Sequence, residues 1–232
     1  IAEFFANLVG TLNGYVWSSA LIFLCLGAGL FYSVQTRFVQ VRLFREMIRL
    51  LFSSKESEKG ISSFQALAVS LSGRVGTGNI AGVAAAIGFG GPGAVFWMWV
   101  VAFLGSATAY VESALGQIYK EVDEGQYRGG PAFYFEKALG QKWYGWVFAV
   151  LTVFACGVLL PGVQANAIGN AVDLAMGGGM LVETPLGEIS RIKLITGSAV
   201  VVFLGIIIFG GVKRIAHFTQ FVVPIMALLY VG

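Results

Sequence analysis

The sequence predicts an all-α polytopic membrane protein, and three observations carry that reading. The chain is 57% hydrophobic and only 12% charged, with a mean hydropathy of +0.80. Its apolar runs recur at lengths that cross a bilayer, and the basic clusters between them fall consistently on one side. One apolar run, Ser70 to Gly91, is interrupted at its centre by glycines and polar residues. The net charge of +3 comes from loop clusters and speaks of topology rather than of nucleic acid. Cys25 and Cys156 both fall in apolar runs, where they read as small hydrophobes without a disulfide or metal spacing. His217 is the only histidine, so a histidine-based catalytic or metal cluster is excluded. The sequence has no initiator Met and stops inside an apolar run, so it reads as a piece of a longer protein, and no cleavable signal peptide is evident.

Residues 1–13 read as a short amphipathic lead-in, and the first span as about 14–34. Tyr15 and Trp17 would mark one interface, Phe31 and Tyr32 the other. Next come Arg37, Arg42, Arg45, Arg49, Lys55 and Lys59, interleaved with apolar residues such as Phe38, Phe44 and Leu50. That pattern predicts a basic amphipathic helix lying on a membrane surface, cytoplasmic by the positive-inside rule. The second span, about 62–89, measures about 40 Å at helical rise and exceeds the hydrocarbon thickness, which an unwound centre or a tilt would explain.

The third span follows the turn Gly90-Gly91-Pro92-Gly93 and runs to about Tyr119, with Phe96, Trp97 and Trp99 as an outer aromatic belt. Glu112 lies within it, so its carboxyl is protonated, paired or facing water. Pairing with Arg74 is one option and is left open. Residues 120–142 form a cytoplasmic segment containing Lys120, Glu121, Asp123, Glu124 and Arg128, then a short amphipathic helix over 132–139. The fourth span, about 143–176, is bent by Pro161-Gly162. Beyond the bend lie Gln164, Asn166, Asn170 and Asp173. Asn166 and Asn170 read as interhelical glue, whereas Gln164 either lines a cavity or serves the same structural purpose. Residues 177–193 form an outer loop, the fifth span covers about 194–211, Lys213 and Arg214 return to the cytoplasm, and a sixth span starts near Phe218 and contains Pro224.

The interruption is Gly73-Arg74-Val75-Gly76-Thr77-Gly78-Asn79. Each of its glycines costs about 1 kcal/mol of helix propensity relative to alanine. Irregular backbone at membrane depth persists only where protein or a watery cavity surrounds it. The spacing predicts a break between Gly73 and Asn79, with residues 77–79 non-helical. Unpaired N–H groups from about Ile80 on would suit an anion, and the carbonyls around Ser72 to Val75 would suit a cation. A carboxylate site beside a small-cation site is the chemistry of an ion-coupled amino-acid transporter. Small-residue packing alone would explain Ala81 to Ala86 but not Arg74 and Asn79. A channel would show polar rings along a pore, and a membrane enzyme a nucleophile–base pair or metal cluster; the sequence shows neither.

Three segments resemble a known family in kind and order. They are Gly90-Gly-Pro-Gly-Ala-Val-Phe-Trp-Met-Trp-Val-Val-Ala-Phe-Leu-Gly105, Ser72-Gly-Arg-Val-Gly-Thr-Gly-Asn-Ile-Ala-Gly82 and Gly129-Gly-Pro-Ala-Phe-Tyr134. By these the chain resembles the alanine/glycine:cation symporters over its whole length. The resemblance implies a leucine-transporter-like inverted-repeat fold. Residues 1–61 would be an extra N-terminal helix with the basic amphipathic helix, and 62–232 the first five-helix repeat, truncated in its last helix. The second repeat, with its own broken helix, would lie outside this chain. The resemblance further implies import of a small neutral amino acid, alanine, glycine or D-alanine, with sodium as coupling ion and no other cofactor. Thr77, Gly78 and Asn79 would meet the substrate carboxylate chiefly through backbone N–H, and Gln164 would complete the substrate contacts. Carbonyls of Ser72 and Val75, with Asn79, would face the sodium ion. Arg74 stands where related families often carry a small residue, and its role is open. The implied setting is the cell (inner) membrane, with the N-terminus outside and residues 35–61 and 120–142 cytoplasmic. Proton coupling on the same fold is the alternative, with a non-transporting scaffold or channel behind it.

Overall fold

A computed structural model describes residues 2–53, 60–123, 125–184 and 187–231. Helix α1 (Ala2–Val16) gives way at Trp17–Ser18 to α2 (Ser19–Gln35). The expected boundary at Gly14 is therefore corrected: residues 14–16 finish α1. Gly29 on α2 lies against α7 (Gly93–Ile118), where an added Cβ would sit 2.9 Å from the Leu104 Cβ. Glycine at this position lets the two helices approach closely.

The basic stretch is not one helix. Arg37 and Phe38 take the left-handed conformation, with φ of 54° and 51°. Two short helices follow, α3 (Val39–Arg42) and α4 (Phe44–Phe52), separated at Leu43. Val39, the first residue of α3, is buried, and α3 packs on α7. Lys55 and Lys59 of this cluster, and Glu124 further on, lie outside the described residues.

The second span comes in two pieces, α5 (Ser63–Ser72) and α6 (Val83–Gly90), with a π-helical turn over Gly78–Gly82 leading into α6. A reciprocal capping box starts α5: Gln65 N donates to Ser62 Oγ at 3.2 Å, and Ser62 N to Gln65 Oε1 at 3.1 Å. Gly91, at φ +69°, turns the chain into α7, whose 26 residues span about 39 Å.

The loops carry structure that composition did not announce. Strands β1 (Glu121–Asp123) and β2 (Gln126–Arg128) form an antiparallel hairpin, as do β3 (Leu181–Thr184) and β4 (Gly187–Ser190). The strictly all-α expectation is thus corrected outside the spans. Gly125 and Gly187, at φ +76° and +116°, supply turn conformations that other residues rarely adopt. Between the hairpins run α8 (Pro131–Leu139), α9 (Lys142–Phe154), a second π-helical turn over Ala155–Leu159, and α10 (Leu160–Ala175). The π turn directly precedes Pro161, and residues 142–175 run as one uninterrupted helix through both.

Helices α11 (Arg191–Ile208) and α12 (Gly211–Val231) complete the chain. Lys213 and Arg214 belong to the first turn of α12 rather than to a loop, so the sixth span starts earlier than expected. Helix α2 packs on α7, α5 on α12, α10 on α11 and α8 on α9. Small residues occupy the crossings: Ala68, Ala107 and Ala216 are 3%, 0% and 0% exposed, while Phe89 and Phe209 are 95% and 94% exposed. Small inside and large outside is the arrangement of helices solvated by acyl chains and further protein rather than by water.

Candidate binding site at the helix break

Helix α5 ends at Ser72 because Gly73, Arg74 and Val75 turn back onto it. Gly73 N donates to Val69 O at 3.2 Å, and the Arg74 and Val75 N–H groups both donate to Leu71 O at 3.0 Å. Among the described residues no hydrogen bond reaches the Ser72 or Val75 carbonyl oxygen. The Ser72 hydroxyl is spent on Val69 O at 2.8 Å, so only its carbonyl is available at the break.

The chain becomes helical again at Thr77, earlier than the glycine spacing suggested. Thr77 has φ −56° and ψ −29°, and Gly78 opens the π turn. Residues 77–79 are therefore helical, which corrects the expectation that they are not. The reason lies in the partners that receive the restart. Asn79 N donates to Gly76 O at 3.0 Å, and Asn79 Oδ1 accepts from Gly76 N at 3.1 Å, half of a capping box. Thr77 N donates to Gln164 Oε1 at 3.1 Å, across 87 residues of sequence. The Asn79 carbonyl accepts from the Tyr230 hydroxyl at 3.1 Å. Gly78 N–H has no hydrogen-bond partner among the described residues, and nothing lies within 4 Å of where its Cβ would be.

Gly76 is what allows Gln164 to approach: a Cβ there would lie 2.6 Å from Gln164 Nε2. Gln164 is half-buried, on the first half of α10. The structure thus brings Gly76, Thr77, Gly78, Asn79 and Gln164 together, with the Ser72 and Val75 carbonyls at the other lip of the break. Both Asn79 oxygens already have partners, which leaves its Nδ2 as the uncommitted polar group. The Asn166 and Asn170 side chains are exposed and make no hydrogen bond among the described residues, so within them they join no helices. Asp173 is the residue that ties helices, accepting from Ser190 Oγ at 2.5 Å, where Ser190 also caps α11. Sequence reading missed Tyr230, which stands among apolar residues and carries no local signal, and it missed Gly76 as a contact point.

Below the break a cavity of about 370 Å³ is lined by Arg74, Glu112, Ser113, Gln117, Lys120 and Tyr127, among others. Arg74 and Glu112 share this cavity without forming an ion pair. The cavity floor is the Gly129-Gly130-Pro131 turn, held so close that a Cβ on Gly129 would meet Gly116 O at 2.8 Å. Nearby, on α8, burial first, then Glu112 and Tyr32, raise the Tyr134 phenol pKa above its usual value of 10.0.

A half-helix pair with exposed backbone donors at one lip and exposed carbonyls at the other is the mark of a multi-pass membrane protein that binds small polar solutes within its spans. Five helical segments among the described residues are long and apolar enough to cross a bilayer, with the two shorter pieces at the break in addition. The sequence model of the Sodium:alanine symporter family matches residues 2–232, and the chain belongs to that family. It is 54% identical over 226 residues to "Putative sodium/proton-dependent alanine carrier protein YrbD" of Bacillus subtilis (strain 168), covering 97% of this chain and 44% of that protein. It is 43% identical over 228 residues to "Probable sodium/glutamine symporter GlnT" of the same strain, covering 97% and 45%. It is 40% identical over 235 residues to "Sodium/alanine symporter AgcS" of Methanococcus maripaludis, covering 98% and 49%. The chain therefore spans about half the length of the curated relatives it matches, and those relatives are carriers by name rather than enzymes.

Proposed function

We propose that this chain is the N-terminal part of a secondary active symporter that imports a small neutral amino acid, alanine or glycine, with sodium. The observation that carries the reading is the break itself. The Gly78 N–H and the Ser72 and Val75 carbonyls have no partners among the described residues, within one short segment, and Gln164 stands beside them. The first helical turn from Thr77 places its partial positive charge toward the open side of Gly78, where a substrate carboxylate would sit. The Ser72 and Val75 carbonyls supply oxygen ligands for sodium, with further ligands from helices beyond this chain. Gln164, uncharged and able to donate and accept, then holds the zwitterion without adding net charge to the site.

In this reading residues 62–232 form the first repeat of a leucine-transporter-like inverted-repeat fold, preceded by the unit 1–61. The second broken helix lies in the part of the protein outside the chain, and the two repeats rock about the shared site. The N-terminus is outside, and the basic segments 35–61 and 120–142 are cytoplasmic. Names among the relatives favour alanine over glutamine as the first substrate to test, and both sodium and protons as coupling ions.

The test is radiolabelled alanine uptake by the full-length protein in proteoliposomes, with an inward sodium gradient, a proton gradient, or neither. Gln164→Ala removes a half-buried hydrogen-bonding group worth about 1–3 kcal/mol, so the half-saturation concentration should rise on the order of tenfold. Uptake that ignores the sodium gradient would overturn the coupling. An unchanged half-saturation concentration in Gln164→Ala would remove Gln164 from the site.

A further inference from the structure

We propose that the cleft between the short helices α3–α4 and helix α7 is a binding site for one anionic phospholipid. Its acyl chain would lie along an apolar groove and its phosphate at Arg37 and Arg42. The groove has a volume of about 640 Å³ and is lined by Leu43, Phe44, Met47 and Leu50 on one side and Ala102 and Phe103 on the other. A polar pocket of about 290 Å³ adjoins it, lined by Gln35, Thr36, Arg37 and Arg42. Val39 and Tyr110 border both, so the two are one continuous cleft with an apolar length and a cationic head.

Two features of the head point to an anionic ligand. The Arg37 guanidinium makes no hydrogen bond or ion pair among the described residues, and the Arg42 guanidinium reaches only the Thr36 carbonyl there, at a long 3.4 Å. The one carboxylate on the cleft, Glu46, is engaged by Arg49, so the positive charge of the head is not neutralised from within. Arg37 and Phe38 are consecutive non-glycine residues in the left-handed region, a costly backbone that persists where a side chain must be presented in one direction.

A further feature, on the wall of the apolar groove, is Gln40. Ser33 Oγ gives its proton to Gly29 O at 2.7 Å, so it can only accept from Gln40 Nε2, at 3.0 Å. That fixes the orientation of the amide and leaves Gln40 Oε1 buried with no donor. Gln40 lines the cleft, and a buried acceptor without a partner is costly. The phosphate of a phosphatidylglycerol meets the arginines, beside the groove wall on which Gln40 stands. The exposed apolar groove, in a chain that crosses the bilayer, takes the acyl chain. Charge complementarity at the head sets this site apart from the ordinary lipid contacts of the spans.

The test uses the full-length protein in mild detergent and native mass spectrometry, titrating dioleoylphosphatidylglycerol or dioleoylphosphatidylcholine. Wild type should retain one phosphatidylglycerol in preference to phosphatidylcholine. The double variant Arg37→Ala, Arg42→Ala should lower that affinity on the order of tenfold and abolish the preference. Ala102→Trp, which fills the groove without changing charge, should weaken binding of both lipids. Equal retention of the two lipids by wild type, or an unchanged affinity in the arginine variant, would overturn the proposal. Displacement by millimolar inorganic phosphate would do the same, because it would mark an anion site with no use for a tail. A photoreactive benzoylphenylalanine at position 47, with both arginines intact, decides independently of how the variants fold. A phospholipid adduct supports the site, and a cross-link to the C-terminal half of the protein shows instead that the protein covers the groove itself.

Discussion

Two helices of this protein carry a π turn, and they behave differently. In the rod from Lys142 to Ala175 the π turn over Ala155–Leu159 is flanked on both sides by helical residues, and the chain runs through it and through Pro161 without a break. In the second span the π turn over Gly78–Gly82 is preceded by a true interruption at 73–76. A proline removes one donor, and the rod tolerates this because Pro161 sits in the first turn after the π turn. A break strands several donors and acceptors at once, and it persists only where other groups receive some of them. Around Ala155–Leu159 no side-chain hydrogen bond reaches the backbone among the described residues. Around Gly76–Asn79 the Asn79 side chain, Gln164 and Tyr230 each receive or supply a bond. The comparison teaches that glycine spacing permits a break in a membrane helix, whereas polar side chains from elsewhere maintain it.

The comparison can be broken at three places. The largest effect is expected from Gly76→Val. Gly76 is not in the left-handed region, so the penalty is contact rather than backbone strain: the new side chain occupies the position of the Gln164 amide. Sodium-driven alanine uptake should fall to background while the protein is still inserted in the membrane, as judged by gel filtration in detergent. Retained uptake would show that the Gln164–Thr77 contact is dispensable.

Tyr230→Phe should have an intermediate effect. It removes a single hydrogen bond to the Asn79 carbonyl, worth about 1 kcal/mol, so the half-saturation concentration for alanine should rise roughly fivefold if the restart turn is held by Tyr230. Thermal unfolding in detergent distinguishes this from a general loss of stability. A lower melting temperature with unchanged uptake parameters would make Tyr230 a packing residue only.

The smallest effect is expected from Gly157→Ala, in the π turn of the unbroken rod. Nothing lies within 4 Å of the added methyl, and alanine gains up to about 1 kcal/mol of helix propensity. Uptake should be unchanged and the melting temperature equal or slightly higher. A loss of transport here as large as that from Gly76→Val would mean that the second π turn is itself a moving part, and the contrast drawn between the two helices would fail.

The sequence by itself determined the apolar helical segments and the place where one of them is interrupted. Those properties depend on hydropathy and on the local cost of glycine, both of which act over a few residues. It also singled out Gln164 as the polar residue at the depth of the break. Tertiary structure decided what sequence-local rules do not reach. Helical structure resumes at Thr77 rather than near Ile80, because Gln164 and Tyr230, 87 and 151 residues away from their partners, bind the restart turn. The basic segment folds as α3 and α4 rather than as one helix: the left-handed pair Arg37–Phe38 sets its start, Val39 is buried there, and the chain is interrupted again at Leu43. Asn166 and Asn170 were expected to join helices, yet Asp173 does so, because it alone lies beside the Ser190 hydroxyl at the start of α11. In each case a polar or small side chain could serve several purposes, and the neighbour that reached it settled which one.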